Sequence, residues 1–133
     1  MYTIGGETMK LNLSDSEWKL MNRLWSDAPM TITELTAAMR DETGWSKNTV
    51  ITMLSRLESK GAVRYEEGSR AKRYFPAVAR EDAAMAETEN FLSKVYSGRL
   101  GLMMSAMVDS QALTEDDIAE LTAILERAGG EHT

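Results

Sequence analysis

The stretch WSKNTVITMLSRLESKGAVRYEEGSRAKRYFP, residues 45–76, changes its hydrophobic period halfway along. Over residues 46–60 the apolar residues recur at helical spacing, with a serine at the start that can cap the helix and a glycine, Gly61, just past its end. Over residues 62–66 and 71–75 polar and apolar residues alternate, and a Gly-Ser turn separates the two segments. The stretch therefore predicts a helix followed by a β-hairpin.

Two further helices are predicted before this stretch. Ser14, followed three residues later by Glu17, indicates a helix start at which each side chain caps the backbone of the other. A short extended segment over residues 30–32 precedes a second helix, for which we predict Thr33 as the cap and residues 41–44 as the end. Helix, short strand, helix, helix and hairpin is the element order of a winged helix-turn-helix.

The remainder of the chain is helical in pattern and predicts a second domain. We place a winged helix-turn-helix domain over residues 9–78 and a three-helix domain over residues 79–128, so the expected fold is mainly α with a small β-hairpin. Gly98 permits a bend after the first of the three helices. Thr114 can cap the third helix, with Asp117 in the reciprocal position.

The three C-terminal helices carry more apolar side chains than they can bury against one another. They need either the N-terminal module or a second copy of themselves, and we favour a homodimer over a monomeric three-helix cap. The predicted dimerisation residues are Phe91, Leu92, Val95, Leu100, Met103, Met104, Met107, Leu121 and Leu125.

Charge is divided unevenly along the chain, whose formal net charge is -6. Residues 9–76 hold 11 basic and 9 acidic residues, a balance of +2, whereas residues 77–133 hold 4 and 11, a balance of -7; Glu7 supplies the remaining -1. The asymmetry predicts two halves with different partners, although a solvated acidic helical surface explains the C-terminal half equally well.

Composition argues against several classes of protein. The chain has no cysteine, and its single histidine, His132, forms no ligand cluster, so we expect no metal or other cofactor and no enzymatic activity. No run approaches the ~20 apolar residues that span a bilayer, so we expect a cytoplasmic protein without membrane insertion. Met9 is a candidate natural start, in which case residues 1–8 have no ordered role.

The predicted helix over residues 46–60 has two different faces. A helical wheel gives a buried stripe of Val50, Met53, Leu54 and Leu57. The opposite face carries short polar side chains, namely those of Asn48, Thr52, Ser55 and Ser59. A helix that reads DNA needs such groups near its N-terminus, with apolar and cationic side chains at the margins. We therefore predict DNA contacts by Ser46, Lys47, Asn48, Thr49, Ile51, Thr52 and Arg56, while ordinary solvated surface remains an alternative for the helix alone.

The predicted hairpin adds a basic cluster directly after this helix. Arg64, Arg70, Lys72 and Arg73 surround the turn, and we assign Arg70, Lys72 and Arg73 to the DNA backbone. Glu66 and Glu67 weaken the cluster, so modest non-specific binding is expected. The alternative function is a winged-helix module that binds protein without specific DNA binding, which the acidity of the whole chain slightly favours.

Several segments carry a family resemblance. The segments LSDSEWKLMNRLW, TITEL, WSKNTVITMLSRLESKGAV, RYFP, FLSKVYSG and LTEDDIAELTAIL resemble the penicillinase-repressor family of bacterial transcription regulators, the BlaI/MecI type. The resemblance implies a winged-helix DNA-binding domain and a C-terminal dimerisation domain. It also implies repression by a homodimer on a palindromic double-stranded operator, often built on TACA and TGTA half-motifs. Asn48, Thr49 and Thr52 would contact DNA, assisted by Lys47, Ile51 and the wing.

Two departures from the family pattern limit what the resemblance implies about release from DNA. Penicillinase repressors are cleaved at an Asn-Phe bond after a membrane sensor is triggered, and Ala106-Met107 stands at that place here. Copper-responsive relatives carry a C-terminal cysteine cluster, which this chain lacks. Neither cleavage-based induction nor copper sensing by that route is predicted, and the resemblance identifies no upstream sensor.

Overall fold

The structure, a computed structural model, describes the backbone of residues 2–4, 7–9 and 11–131 and the side chains of residues 11–130. Its elements, in chain order, are β1 (Tyr2–Ile4), β2 (Glu7–Met9), α1 (Asp15–Asp27), α2 (Ile32–Thr43), α3 (Lys47–Ser59), β3 (Val63–Glu67), β4 (Lys72–Pro76), α4 (Arg80–Tyr96), α5 (Leu100–Asp109) and α6 (Glu115–Glu131). The chain divides after Asn90 into two compact units. His132 lies outside the described residues.

Strands β1 and β2 pair antiparallel, with Tyr2 opposite Met9. Residues 2–4 and 7–9 therefore have strand backbone, and the expectation that residues 1–8 have no ordered role stays a prediction. The two strands form a sheet of their own, separate from the hairpin of β3 and β4.

Reciprocal capping fixes the starts of the first two helices. At α1 the backbone N–H of Ser14 donates to Glu17 Oε1 (2.7 Å) and the backbone N–H of Glu17 donates to Ser14 Oγ (3.1 Å), as the sequence predicts. At α2 the cap is Thr31, paired in the same way with Glu34, and not Thr33. The helix therefore begins at Ile32, because Thr31 has extended backbone angles and Glu34 lies three residues beyond it.

Helix α3 follows the predicted course closely. Ser46 caps it by accepting from the backbone N–H of Thr49, at 3.3 Å. Gly61 follows the end of the helix with φ +76°, a conformation that favours glycine. The predicted helix is therefore confirmed at both ends.

The hairpin forms one residue later than predicted in each strand. Val63 lies opposite Pro76 and Glu67 opposite Lys72, and the turn is closed by the backbone N–H of Gly68 donating to the carbonyl of Ala71. A side chain at Gly68 would collide with that carbonyl. A third, single-residue strand is added by Met30, which pairs with Tyr74, so only Met30 of the predicted extended segment pairs with a strand.

The hydrophobic core lies in the first unit, between α1, α2, α3 and the hairpin. Its fully buried large apolar side chains are Leu20, Met21, Leu24, Leu35, Met39, Val50, Leu54 and Leu57. The Glu17 carboxylate is also buried, at 2% exposure, where Oε1 accepts from Lys60 Nζ at 2.6 Å. Burial acts to raise the pKa of Glu17, but hydrogen bonds from Lys60 and Ser14 outweigh it and hold that pKa below its usual value.

The first part of α4 belongs to the same compact unit. Trp25 Nε1 donates to the carbonyl of Val78 just before the helix (2.9 Å), and Ala83 and Ala86 are buried. Asn90 Nδ2 donates to the carbonyl of Leu11 at 3.0 Å. The unit therefore continues beyond the predicted boundary at residue 78.

The second unit contains the end of α4 together with α5 and α6. Ser97 and Gly98, with φ of 52° and 79°, turn the chain after α4 at the predicted bend. Thr114 and Asp117 form the predicted reciprocal cap at α6, with both hydrogen bonds at 3.0 Å. Every residue between 91 and 130 is exposed or half-buried.

The corrected cap of α2 leads to a stability prediction. Thr31→Ala is expected to lower the free energy of unfolding by about 1 kcal/mol, because it leaves the backbone N–H of Glu34 without its acceptor. Thr33→Ala is the matched control, since Thr33 is exposed inside the helix and alanine favours helix there. Urea denaturation of both variants measures the difference. An equal loss for the two variants would contradict the assignment of the cap.

Candidate nucleic-acid interface

The two predicted faces of α3 are present in the structure. Val50, Leu54 and Leu57 are buried and Met53 packs against the same core. On the opposite side the polar residues are exposed, namely Asn48, Thr52, Ser55 and Ser59. The helix thus holds a rigid row of hydrogen-bonding side chains toward solvent, because its other face is fixed in the core.

The N-terminal turn of α3 is ordered by its own hydroxyl groups. Ser46 Oγ and Thr49 Oγ1 lie 3.2 Å apart, and Thr49 is half-buried. Ser46 therefore caps the helix. Asn48 and Thr52 are exposed, whereas Thr49 between them is half-buried. The free amides of this turn, with the positive end of the helix dipole, suit an anion.

The margins of the exposed face carry two cations and one large apolar side chain. Lys47 and Arg56 are exposed, and within the described residues neither has an ion pair or a side-chain hydrogen bond. Ile51 is 41% exposed. A thymine methyl group and flanking phosphates are the partners that such a margin suits.

The hairpin separates the three predicted wing cations. Lys72 lies opposite Glu67 and Arg73 opposite Glu66, so their side chains leave opposite faces of the sheet. Lys72 Nζ lies 4.1 Å from the centre of the Tyr65 ring, and its interaction with Tyr65 raises the pKa of the lysine. Lys72 is therefore already engaged within the hairpin.

Arg70 and Arg73 are brought together instead. Both line an open cavity of about 370 Å³ at the turn of the hairpin, together with Thr31 and residues 67–69 and 71. The side chain of neither arginine has an ion pair or hydrogen bond to another described residue. Because side chains alternate along a strand, the sequence itself predicts that Lys72 and Arg73 lie on opposite faces of the hairpin. The approach of Thr31 to the turn depends instead on the Met30–Tyr74 bridge.

Arg64 is occupied by contacts inside the hairpin. Its guanidinium lies 4.3 Å from the centre of the Phe75 ring and donates to Glu66 Oε2 at 2.9 Å. This pairing also satisfies one of the two acidic side chains that were expected to weaken the basic cluster. Arg70 and Arg73 are thus the available cations of the wing.

A metal-ligating cluster and a membrane-spanning helix are both absent from the described part of the chain. No group of three or more His, Cys, Asp or Glu side chains among those residues could hold a metal ion. No helix in the same residues is long and apolar enough to cross a membrane.

A comparison with protein families and known sequences gives one consistent match. The model of the family described as penicillinase repressor matches residues 13–127. The penicillinase repressor of Bacillus licheniformis is 30% identical over 114 residues, covering 86% of this chain and 89% of that one. The methicillin resistance regulatory protein MecI of Staphylococcus aureus is 27% identical over 115 residues, covering 86% and 94%.

Two structures of BlaI are among the solved structures that this chain resembles. The solution structure of the DNA-binding domain of the repressor BlaI matches with a TM-score of 0.51 and 28% identity, over 57% of this chain and 93% of that one. Monomeric Bacillus licheniformis BlaI in complex with the blaP half-operator matches with a TM-score of 0.50 and 29% identity, over 55% and 89%.

Proposed function

The chain belongs to the penicillinase repressor family, and we propose that it is a sequence-specific DNA-binding transcriptional repressor that acts in the cytoplasm as a homodimer on a palindromic operator. The observation that carries the proposal is the exposed polar face of α3, together with two wing arginines whose side chains have no ion pair within the described residues. Both lie on a fold that matches BlaI, whose structure with the blaP half-operator supports the same use here.

Within this proposal the side chains divide into two groups. Asn48 and Thr52 face base edges, Ile51 meets a thymine methyl group, and Thr49 lies at the edge of the same contact. Cations hold phosphates on either side, namely Lys47 and Arg56 on the helix and Arg70 and Arg73 on the wing. Lys72, stacked on Tyr65, contributes less than the two arginines.

The homodimer is inferred from what the second unit leaves uncovered. Among the predicted dimerisation residues, Phe91, Val95, Leu100 and Leu125 are 44%, 48%, 54% and 69% exposed. Leu92, Met103, Met104, Met107 and Leu121 are half-buried. An unburied apolar surface of this kind marks an interaction site, and a second copy supplies a matching surface by symmetry.

The charge distribution fits the same division of labour. Residues 77–133 carry the balance of -7, and residues 9–76 the balance of +2. Acidic side chains on the dimerising half disfavour contact with DNA there, which leaves α3 and the wing as the surface that binds it.

A protein-binding module is the second candidate function, favoured by the acidic chain and by the exposed apolar surface of the second unit. Fluorescence anisotropy on the DNA upstream of this reading frame separates the two functions. The repressor is expected to bind saturably with a Kd below about 1 μM and with a steep salt dependence. Equal binding to a scrambled duplex at low salt would favour the protein-binding module.

The separation of the wing cations gives a further prediction. Arg70→Ala and Arg73→Ala are each expected to weaken binding to all duplexes alike and to reduce the salt slope by about 1. Lys72→Ala is the matched control and should change the slope less, because Lys72 already contacts Tyr65. Anisotropy titrations at several salt concentrations measure the slopes. A larger change for Lys72→Ala than for Arg73→Ala would assign DNA contact to the other face of the hairpin.

A further inference from the structure

A short segment before α1 connects two helices that do not follow it directly in the chain. This segment, Leu11–Leu13, is called the N-terminal strap below. The side chains of Leu11 and Leu13 are buried in the core, at 3% and 6% exposure. The strap is therefore fixed by its side chains, and its backbone carbonyls are available to other elements.

Two consecutive carbonyls of the strap accept side-chain hydrogen bonds from different helices. The carbonyl of Asn12 accepts from Lys60 Nζ at 2.6 Å. The carbonyl of Leu11 accepts from Asn90 Nδ2 at 3.0 Å. The two carbonyls belong to the peptide groups on either side of the Asn12 Cα, so a displacement of that Cα moves both acceptors.

Lys60 ties the strap to the C-terminal end of α3. It is the C-cap residue, and its backbone N–H donates to the carbonyl of Arg56 at 3.0 Å. Its ammonium also binds the buried Glu17 carboxylate, whose same oxygen accepts from the backbone N–H of Ser14. A shift of α3 would therefore strain two short charge-assisted hydrogen bonds at once.

Asn90 ties the strap to α4. The helix is buried against the first unit at Ala83 and Ala86 and continues without a break past Asn90 to Tyr96, where the second unit has begun. Asn90 is thus the last residue of the first unit and the residue of α4 that donates a hydrogen bond to the strap.

We propose that the N-terminal strap couples the position of the recognition helix α3 to that of α4, so that operator binding and assembly through the second unit influence each other. Lys60 and Asn90 are the positioning residues of this linkage. They contact the strap and not the DNA, and they act on binding through the helices that they hold. The inference rests on the proposed repressor function.

A double-mutant cycle in the full chain tests the coupling. Lys60→Met and Asn90→Ala are each expected to weaken binding to the upstream duplex about tenfold. The Kd of the double variant should be within about twofold of the higher of the two single-variant Kd values, because either change alone breaks the linkage. Thr88→Ala is the matched control on α4, since Thr88 Oγ1 donates to the carbonyl of Ala84 in its own helix and to no other described residue. Lys60→Arg should restore binding.

Hydrogen exchange distinguishes coupling from a loss of stability. In the wild type, the upstream duplex is expected to slow amide exchange over residues 80–90 as well as over α3. In Asn90→Ala the duplex should protect α3 but no longer residues 80–90, whereas a merely structural role would change exchange equally with and without DNA.

The outcomes separate the inference from the function on which it rests. A wild type that does not distinguish the upstream duplex from a scrambled one contradicts the repressor function and the linkage with it. If the wild type distinguishes the two duplexes but Asn90→Ala binds as tightly as the wild type, the linkage alone is overturned. The same holds if the affinity loss of the double variant equals the product of the two single losses. Because Asn90→Ala and Lys60→Arg keep Glu17 paired, the test survives if Lys60→Met does not fold.

Discussion

A chain that ends at Asn90 is expected to remain folded and monomeric and to bind a two-half-site operator about 10²–10⁴-fold more weakly than the full chain. The first unit keeps its whole core, including Ala83 and Ala86, and the Asn90–Leu11 hydrogen bond. What it loses is the exposed apolar surface of α5 and α6, and with it the link that makes the second half-site binding event intramolecular. Binding to a single half-site should fall by a much smaller factor.

Sedimentation equilibrium and anisotropy on full and half-operator duplexes measure this loss. A chain that ends at residue 78, the boundary predicted from sequence, is the matched control. It also lacks the buried part of α4, so it is expected to unfold at a lower urea concentration than the chain ending at Asn90. A dimeric 1–90 chain that retained tight operator binding would show that the dimer surface lies in the first unit.

Asn48→Ala and Thr52→Ala are expected to reduce discrimination at the bases they contact by about 1–3 kcal/mol, with little effect on random DNA. Both side chains are exposed on α3 and neither supports the core, so the free energy of unfolding should be nearly unchanged. Loss of specificity without loss of stability is the signature of a side chain that reads sequence.

Ser59→Ala is the matched control for these two variants. Ser59 lies on the same exposed face but at the C-terminal end of α3, away from the residues of a recognition helix that reach base edges. Anisotropy on duplexes with single base-pair changes, together with urea denaturation, measures specificity and stability separately. Equal losses on operator and scrambled DNA for Asn48→Ala and Thr52→Ala would remove these residues from sequence recognition.

Local chemistry made α3 predictable from sequence. Its cap at Ser46, its glycine at Gly61 and its buried stripe are all defined within sixteen residues, and the structure reproduces each of them. The start of α2 was less certain because two threonines stand two residues apart. Glu34, three residues after Thr31, was the signal that identifies the cap.

Contacts between distant parts of the chain were not predictable in the same way. Glu17 and Lys60 are 43 residues apart, and Leu11 and Asn90 are 79 apart, so no local period reports either pair. The approach of Thr31 to the wing turn likewise follows from tertiary pairing at Met30.

In the wing, residue composition predicts the presence of a basic cluster but not which of its cations are free to bind DNA. Residues 70–73 contain three cations that form one basic cluster in the sequence, but the strand register decides which of the three side chains remain available. Arg73 shares an open cavity with Arg70, while Lys72 is stacked on Tyr65 on the other face. A cluster in sequence thus becomes two different surfaces in the fold.

In the proposed dimer, two copies of the surface formed by α3 and the wing recognise a symmetric DNA site. Sequencing the genomic fragments that the full chain retains at physiological salt tests it most directly. We expect the retained fragments to share an inverted repeat placed near a small number of promoters, with half-site centres separated by whole helical turns, about 10 base pairs or a multiple of it. Retained fragments without a common sequence, or with a single unrepeated half-site, would contradict the account.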